Sequence, residues 1–405
     1  MVAVDAAAEP SRGGEGEGAA SAAPAADLPA IDDRSGVEGM LTSRWYGDSA
    51  FGTVLAPLGA VTRWAARRRR AAHRSGARPA WRAPVPVIVV GNVTVGGTGK
   101  TPFVIWLVQW LAARGWSPGV VARGAGRRGA PLLVGDDGDP AEVGDEPLVV
   151  RRRTGVPVAV GADRVAATAC LLETGVDIVL ADDGLQHHAL GRDLEIALLD
   201  GARGLGNGRC MPAGPLREDA ARLDDVDLLV STGRLRAADR HRMHHEMHLR
   251  PDLLRHLLDG TERGADGEGL PRVVHAVAGI GHPQRFFATL SALGFRPLPH
   301  AFRDHHPYTR ADLHFGDDLP ILMTEKDAVK VLTLRAGDHD PVLARCHALV
   351  VSAILPAAFE DALLARLQAI EAGWGAVPDG DPDGAPDGAP DGARKDDQEQ
   401  EERDA

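Results

Sequence analysis

Three glycines and a lysine give the first chemical reading. Gly96, Gly97 and Gly99 punctuate the run Gly91-Asn-Val-Thr-Val-Gly-Gly-Thr-Gly-Lys-Thr-Pro102, and a backbone without Cβ atoms can turn successive N–H groups inward around phosphate oxygens. In such a cradle, completed by Thr98, Lys100 would reach the β- and γ-phosphates of a nucleoside triphosphate and Thr101 would offer its hydroxyl to Mg²⁺. The pattern departs from the usual phosphate-loop motif in one place, where Thr94 stands at the first glycine. An ordinary Gly-rich turn is the alternative. Against it, the chain has four lysines (Lys100, Lys326, Lys330, Lys395) among 45 basic residues. One of them falls where a compact point charge is required and arginine is a poor substitute.

A nucleotide site of this kind needs carboxylates at the end of a neighbouring strand. Val176-Asp-Ile-Val-Leu-Ala181 followed by Asp182-Asp183-Gly184 has that form, and two adjacent acids stay ionised together beside a bound cation. A loop-capping pair is the alternative. A second pair, Asp145-Glu146, precedes Pro147, where Asp145 could equally be a helix N-cap. Histidines occur at His187-His188 and in Asp304-His305-His306. They are too sparse to specify a transition-metal site, which leaves Mg²⁺ as the expected metal.

The elements that must position these groups alternate. Val85–Val90 reads as a buried strand entering the loop, and Phe103, Val104, Trp106, Leu107, Trp110 and Leu111 give the helix leaving it. Pro102 suits that helix's first turn. Further strands are expected at 118–122, 156–160, 176–181, 195–199 and 226–231, then at 272–278, 319–324 and 348–352, with helices near 282–293 and 357–371. This is an α/β pattern with a mostly parallel sheet, and the polar stretch around 232–270 divides it into two lobes, 84–240 and 241–375. The termini differ in kind. Residues 1–36 and the Pro-Asp-Gly-rich 376–405 carry net charges of −5 and −8, so the body is close to neutral although the whole chain is −12. Both read as disordered acidic tails.

Cys170, Cys210 and Cys346 stand far apart, without metal-knuckle spacing, and fit a reducing compartment. No secretory signal and no membrane-spanning run is evident. Within 37–83, Phe51, Val54, Leu55, Leu58, Val61 and Trp64 recur at helical spacing before Arg67–Arg70. That is the signature of a basic amphipathic helix on an anionic membrane surface, or of a helix packed on the domain with solvated arginines. With aromatic residues at 4%, nucleic-acid binding is not expected.

Read together, Pro86–Pro102, Gly144-Asp-Glu-Pro147, Asp182-Asp-Gly-Leu-Gln-His187, Ala278-Gly-Ile-Gly281, Asp304-His-His306 and Thr324-Glu-Lys-Asp327 resemble the tetraacyldisaccharide 4'-kinase family, the lipid A 4'-kinases of bacterial outer-membrane biogenesis. The resemblance runs from about Thr42 to Ala372. It implies a P-loop NTPase-like fold of two Rossmann-like α/β/α lobes joined by a hinge, with an N-terminal amphipathic helix. It also implies transfer of the ATP γ-phosphoryl group to the 4'-hydroxyl of a tetraacylated glucosamine disaccharide 1-phosphate. The setting would be peripheral, at the cytoplasmic face of the inner membrane, with no obligate protein partner. By the same resemblance Asp145 becomes base or orienter of the acceptor, assisted by His305 or His306. Asp182, Asp183 and Glu146 would serve Mg²⁺, and Arg123, Arg164 and Gln186 would contact acceptor or phosphate. One departure is Ala122-Arg-Gly-Ala-Gly126, where the family carries an aromatic residue at the position of Ala125. The competing reading is a non-kinase P-loop NTPase, either a nucleotide-driven switch or a metallochaperone.

Overall fold

Both faces of the first strand are apolar for a structural reason: it lies mid-sheet with a core on each side. In the computed structural model, which describes residues 44–46, 51–125, 129–239 and 244–375, β1 (Val87–Asn92) is buried at every position. Ile88 and Val90 enter one core and Val87 and Val89 the other, the period-2 alternation of a strand covered on both faces. The acidic tails expected at 1–36 and 376–405 lie outside the described residues.

Around β1 runs a parallel series: β2 (Pro118–Ala122), β4 (Val158–Val160), β5 (Ile178–Asp182), β6 (Leu194–Asp200) and β7 (Leu228–Thr232), in the order β7-β6-β1-β5-β2-β4. Beyond β4, the two-residue β3 (Leu132–Leu133) closes the edge antiparallel. A second parallel series comprises β10 (Val273–Ala278), β11 (Arg296–Ala301), β12 (Ile321–Thr324) and β13 (Cys346–Ile354).

The 232–270 segment, expected to be a polar divider, carries the strand that joins the two series. β8 (His245–His256) pairs parallel with β7 through His245–Met247 and antiparallel with β13 along the rest of its length, so the sheet continues through it. The short β9 (Glu262–Gly264) lies against β8. Pro251 of β8 sits where the β13 register shifts, a bulge at which a missing N–H is tolerated.

Helices cover the sheet. At the N-terminal side come α1 (Phe51–Val54) and α2 (Ala56–Arg74), followed by α3 (Lys100–Ala112), α4 (Pro140–Val143), α5 (Asp145–Thr154) and α6 (Arg164–Leu172). The second series adds α7 (Pro283–Ala292), α8 (Glu325–Val331) and α9 (Ala357–Gly375). The last helix returns to the first core: Phe359, Leu363 and Leu367 pack with Phe103, Leu107 and Leu111 of α3, and the Phe103 and Phe359 rings meet edge to face at 5.8 Å. The expected second unit, 241–375, thus shares its final helix with the first. α2 lies on the surface with Gly59 against Cys210 and Ala213, where a Cβ would come within 2.7 Å of a carbonyl oxygen.

Candidate active site

The phosphate loop leaves β1 at Asn92 and enters α3 at Lys100, with Gly99 as N-cap at φ +80°. A Cβ on Gly99 would meet Thr232 Oγ1 at 2.9 Å, so sign of φ and space both demand glycine there. Gly96 is also left-handed, at φ +101°, and around Gly97 a Cβ would find open space. Thr94 needs no such freedom. It is buried and bridges Leu216, while Val95 N–H donates to Pro215 O and Arg217 N–H to Val93 O. Strand-like pairing occupies the part of the loop where the usual motif turns on a glycine, so the threonine is structural.

Asn92, which sequence reasoning did not single out, braces the loop. Its Nδ2 donates to Gly96 O and Thr98 Oγ1 (3.3 and 3.4 Å) and its Oδ1 accepts from Lys100 Nζ (3.4 Å). Thr232 Oγ1 donates to Thr98 O at 2.7 Å. Thr101 is buried in the first turn of α3.

The two acids after β5 behave differently. Asp183, at φ +53°, takes Arg217 Nη1 on both oxygens (2.9 and 2.7 Å) and lies 3.4 Å from Lys100 Nζ. Burial alone would raise its carboxyl, but those two cations pull it down to about 2. Asp182 is buried with an Oδ1 that has no hydrogen-bond partner; burial, with the neighbouring Glu146 charge, pushes it up to about 7. A buried carboxylate oxygen left bare in a carboxylate-rich corner fits a cation. Asp182 therefore suits Mg²⁺, whereas Asp183 is already neutralised by its own protein.

Asp145 opens α5, behind Gly144 at φ +91°. Its Oδ1 accepts from the adjacent Glu146 N–H (2.9 Å), but the N-cap position is Gly144 and no side chain caps the helix. Asp145 is therefore the first helical residue and not its cap; its Oδ2 contacts His305 Nδ1 at 3.0 Å. His305 stands on a left-handed backbone, φ +56°, which costs a non-glycine residue energy that its surroundings must supply. Burial would raise the Asp145 carboxyl, but the His305 bond and the Lys326 and Lys330 charges hold it below its ordinary range. Reciprocally, the Asp145 bond lifts His305 to about 9. His306 faces elsewhere: it stacks on Phe302 at 4.6 Å and its Nε2 lies 3.4 Å from Asp312. Of the two expected histidines, His305 alone meets Asp145.

Glu146 pairs with Lys326 of α8, whose charge lowers the Glu146 carboxyl. One helical turn along, Lys330 Nζ lies 3.9 Å from Asp145. At the other end of α5, Arg153 Nη1 donates to both Glu325 oxygens at 2.8 Å. The Thr324-Glu-Lys-Asp327 motif is thus spent on protein contacts, which leaves nothing for reading a guanine base. Lysine scarcity was the available signal here: Lys100, Lys326 and Lys330, three of the four lysines, converge on this site.

The expected acceptor or phosphate contacts fall in different surroundings. Arg123 is exposed. Arg164 is buried, donates to Gly161 O and is lowered to about 10 by burial. His187 is lowered to about 4 by burial and by Arg164 and Arg123. Gln186 Nε2 donates to Glu218 Oε1 (2.9 Å) and Asn92 O (3.3 Å), so it braces the loop from outside. Ala125 is exposed, and Gly126 falls outside the described residues.

A parallel-sheet phosphate loop with a lysine, a buried threonine in the first turn of the helix that follows, a bare buried aspartate and an Asp–His pair beside it defines a P-loop kinase. The family model described as tetraacyldisaccharide-1-P 4'-kinase matches residues 51–368. The chain belongs to this family. It is 56% identical over 280 residues to the tetraacyldisaccharide 4'-kinase of Alkalilimnicola ehrlichii, covering 68% of this chain and 83% of that relative. It is 48% identical over 335 residues to that of Azotobacter vinelandii, covering 81% and 98%. Among solved structures, it resembles the LpxK of Aquifex aeolicus in complex with ATP, with a TM-score of 0.63 at 26% identity, over 78% of this chain and 99% of that one.

Proposed function

We propose that Asp145, held by His305, orients the acceptor hydroxyl and takes up its proton, in an enzyme whose family transfers the ATP γ-phosphoryl group to the 4'-hydroxyl of a tetraacylated glucosamine disaccharide 1-phosphate. The observation that carries the assignment is the 3.0 Å contact between Asp145 Oδ2 and His305 Nδ1, made from opposite strand series. A carboxylate held below its ordinary range is a weak base. That suits a loose phosphoryl-transfer transition state, in which the acceptor proton leaves late and placement outweighs basicity.

The loop N–H groups of Gly96, Gly97, Thr98 and Gly99 bind phosphate oxygens at the start of α3, where the helix dipole favours anions. Lys100 is shared between Asn92 and Asp183, and it would exchange these contacts for the β- and γ-phosphates. Thr101 and Asp182 would hold Mg²⁺, which would supply charge neutralisation at the phosphates, with Asp183 and Glu146, each paired with a protein cation, as the further carboxylates beside it. Arg123, which is exposed, is assigned to acceptor or phosphate contact, whereas Arg164 and Gln186, bonded to Gly161 O and to Glu218 and Asn92 O, are assigned to supporting the site.

The lipid acceptor gives α2 a purpose. Val54 at the end of α1 and Leu58, Val61 and Trp64 of α2 are all more than half exposed, and Arg68 lies 5.5 Å over the Trp64 ring at the end of that stripe. The basic run is divided: Arg67 and Arg70 pair with Asp219 and Asp225, while Arg68 and Arg69 face outward. An apolar stripe ending in outward cations supports docking on an anionic membrane surface, in a peripheral mode. No described helix is long and apolar enough to cross a membrane.

The reading is tested with labelled ATP, Mg²⁺ and the disaccharide 1-phosphate in detergent micelles. Label should enter the lipid with the wild-type chain and fall at least a hundredfold with Asp145→Asn; undiminished transfer by that variant would remove Asp145 from the mechanism.

A further inference from the structure

Asp327 is wholly buried, yet it is an acid in the second series with no part in the chemistry above. Its Oδ1 accepts from Tyr308 Oη (3.0 Å) and Gly279 N–H (3.2 Å), its Oδ2 accepts from Thr324 Oγ1 (2.6 Å), and Lys330 Nζ lies 3.1 Å away. Lys330, itself buried, also lies 3.9 Å from Asp145 Oδ2 and 5.2 Å over the Tyr308 ring. Tyr308 follows His305 by three residues on the same loop. A ring of contacts results: Asp145, His305, backbone to Tyr308, Asp327, Lys330, and back to Asp145, with Lys330 Nζ, which makes no hydrogen bond, joined to both acids by charge. Gly279 is glycine for the sake of this ring, since a Cβ there would meet Tyr308 Oη at 2.8 Å and Asp327 Oδ1 at 3.1 Å.

We propose that Tyr308, Asp327 and Lys330 form a positioning unit that sets His305 against Asp145, so that one buried cation fixes both halves of the pair across the two strand series. The proposal rests on the reading of Asp145 and His305 given above. Two physical arguments carry it. Buried charges are poor sources of stability, because well-packed apolar residues of the same volume do as well or better. What such a network provides is a single geometry, and this one ends on the only pair of side chains assigned to the acceptor proton. Second, His305 holds a left-handed backbone, which must be imposed from outside the residue. Tyr308, anchored by its hydroxyl on Asp327, fixes the loop three residues on, beyond His306, which Phe302 and Asp312 hold. Burial and the Asp327 charge raise the Tyr308 hydroxyl far above its ordinary range, so it remains a donor throughout the working pH.

Tyr308→Phe removes one oxygen and keeps the ring. In the full chain, kcat should fall about tenfold with KM for ATP within twofold and the thermal midpoint little moved. In the same variant the His305 titration, followed by NMR on isotope-labelled histidine, should drop by at least one pH unit from about 9. Lys330→Met alone leaves Asp327 buried and uncovered and threatens folding, so the partner variant is Lys330→Met with Asp327→Asn. This pair removes both charges at nearly constant volume, and the same loss of kcat is expected. Wild-type kcat and an unmoved His305 titration in both folded variants would overturn the proposal. Losses of kcat that merely track the folded fraction, with the titration unmoved, would overturn it too. Asp145→Asn separates the two claims: if it lowers kcat and the ring variants do not, only the positioning unit fails.

Discussion

At the residue scale, the nucleotide half of the site was legible because its requirements are local: glycines for φ, a lysine for reach, a hydroxyl one residue on. Lys100→Ala should lower phosphoryl transfer about 10³-fold, the order of loss that follows removal of a preorganised transition-state charge; the measurement is initial rate at saturating ATP. The acceptor half was only partly legible. Sequence placed Asp145, His305 and His306 as candidates, but their division of labour depends on a left-handed backbone at 305 and on Phe302 stacking on His306, neither visible in spacing. The His305–Asp145 pair also has a pH signature. His305 is raised to about 9 from an ordinary 6.5, so its stabilisation is complete below about 6.5 and is lost as pH rises through 9. Thermal midpoints of wild type and His305→Asn should differ by a constant amount near pH 6, converge between pH 7 and 9, and coincide above that; its side chain is 61% exposed, so the difference is small.

At the element scale, the parallel strands were legible because burial on both faces writes them as continuous apolar runs. β8 and β11 were not. β8 reads His-Glu-Met-His-Leu-Arg-Pro-Asp-Leu-Leu-Arg-His, and its polar composition and Pro251 argue against a strand until β13 and the bulge are seen. β11 holds Pro297 and Pro299, which only an edge strand bonded on one side accommodates. The contact of α5 with α8 is equally invisible in sequence, because it joins residues about 170 apart. Arg153 and Glu325 are 10% and 16% exposed in that contact. Removing one partner strands the other, so Arg153→Ala should cost on the order of 3 kcal/mol, read as a lower midpoint in urea unfolding with unchanged slope.

At the scale of the whole molecule, β8 and α9 tie the two strand series into one sheet and one shared core, with the phosphate loop on one series and His305 on the other. In the proposed mechanism this arrangement would let a nucleotide held by Lys100 and an acceptor held near Asp145 meet between them. The outward stripe on α2 belongs at this scale too. Leu58→Ser with Trp64→Ser should weaken co-sedimentation with anionic vesicles about tenfold or more, each apolar side chain contributing on the order of 1 kcal/mol when inserted, while micellar turnover stays near wild type. Equal vesicle binding would return α2 to the role of a packed surface helix. The central claim is a kinase whose acceptor is a lipid sugar hydroxyl. It is tested most directly by mass-spectrometric mapping of the product formed from ATP and the disaccharide 1-phosphate. The account predicts one added phosphate, on the 4'-hydroxyl, in amounts equal to the ADP released. ADP release without a phosphorylated lipid would contradict it.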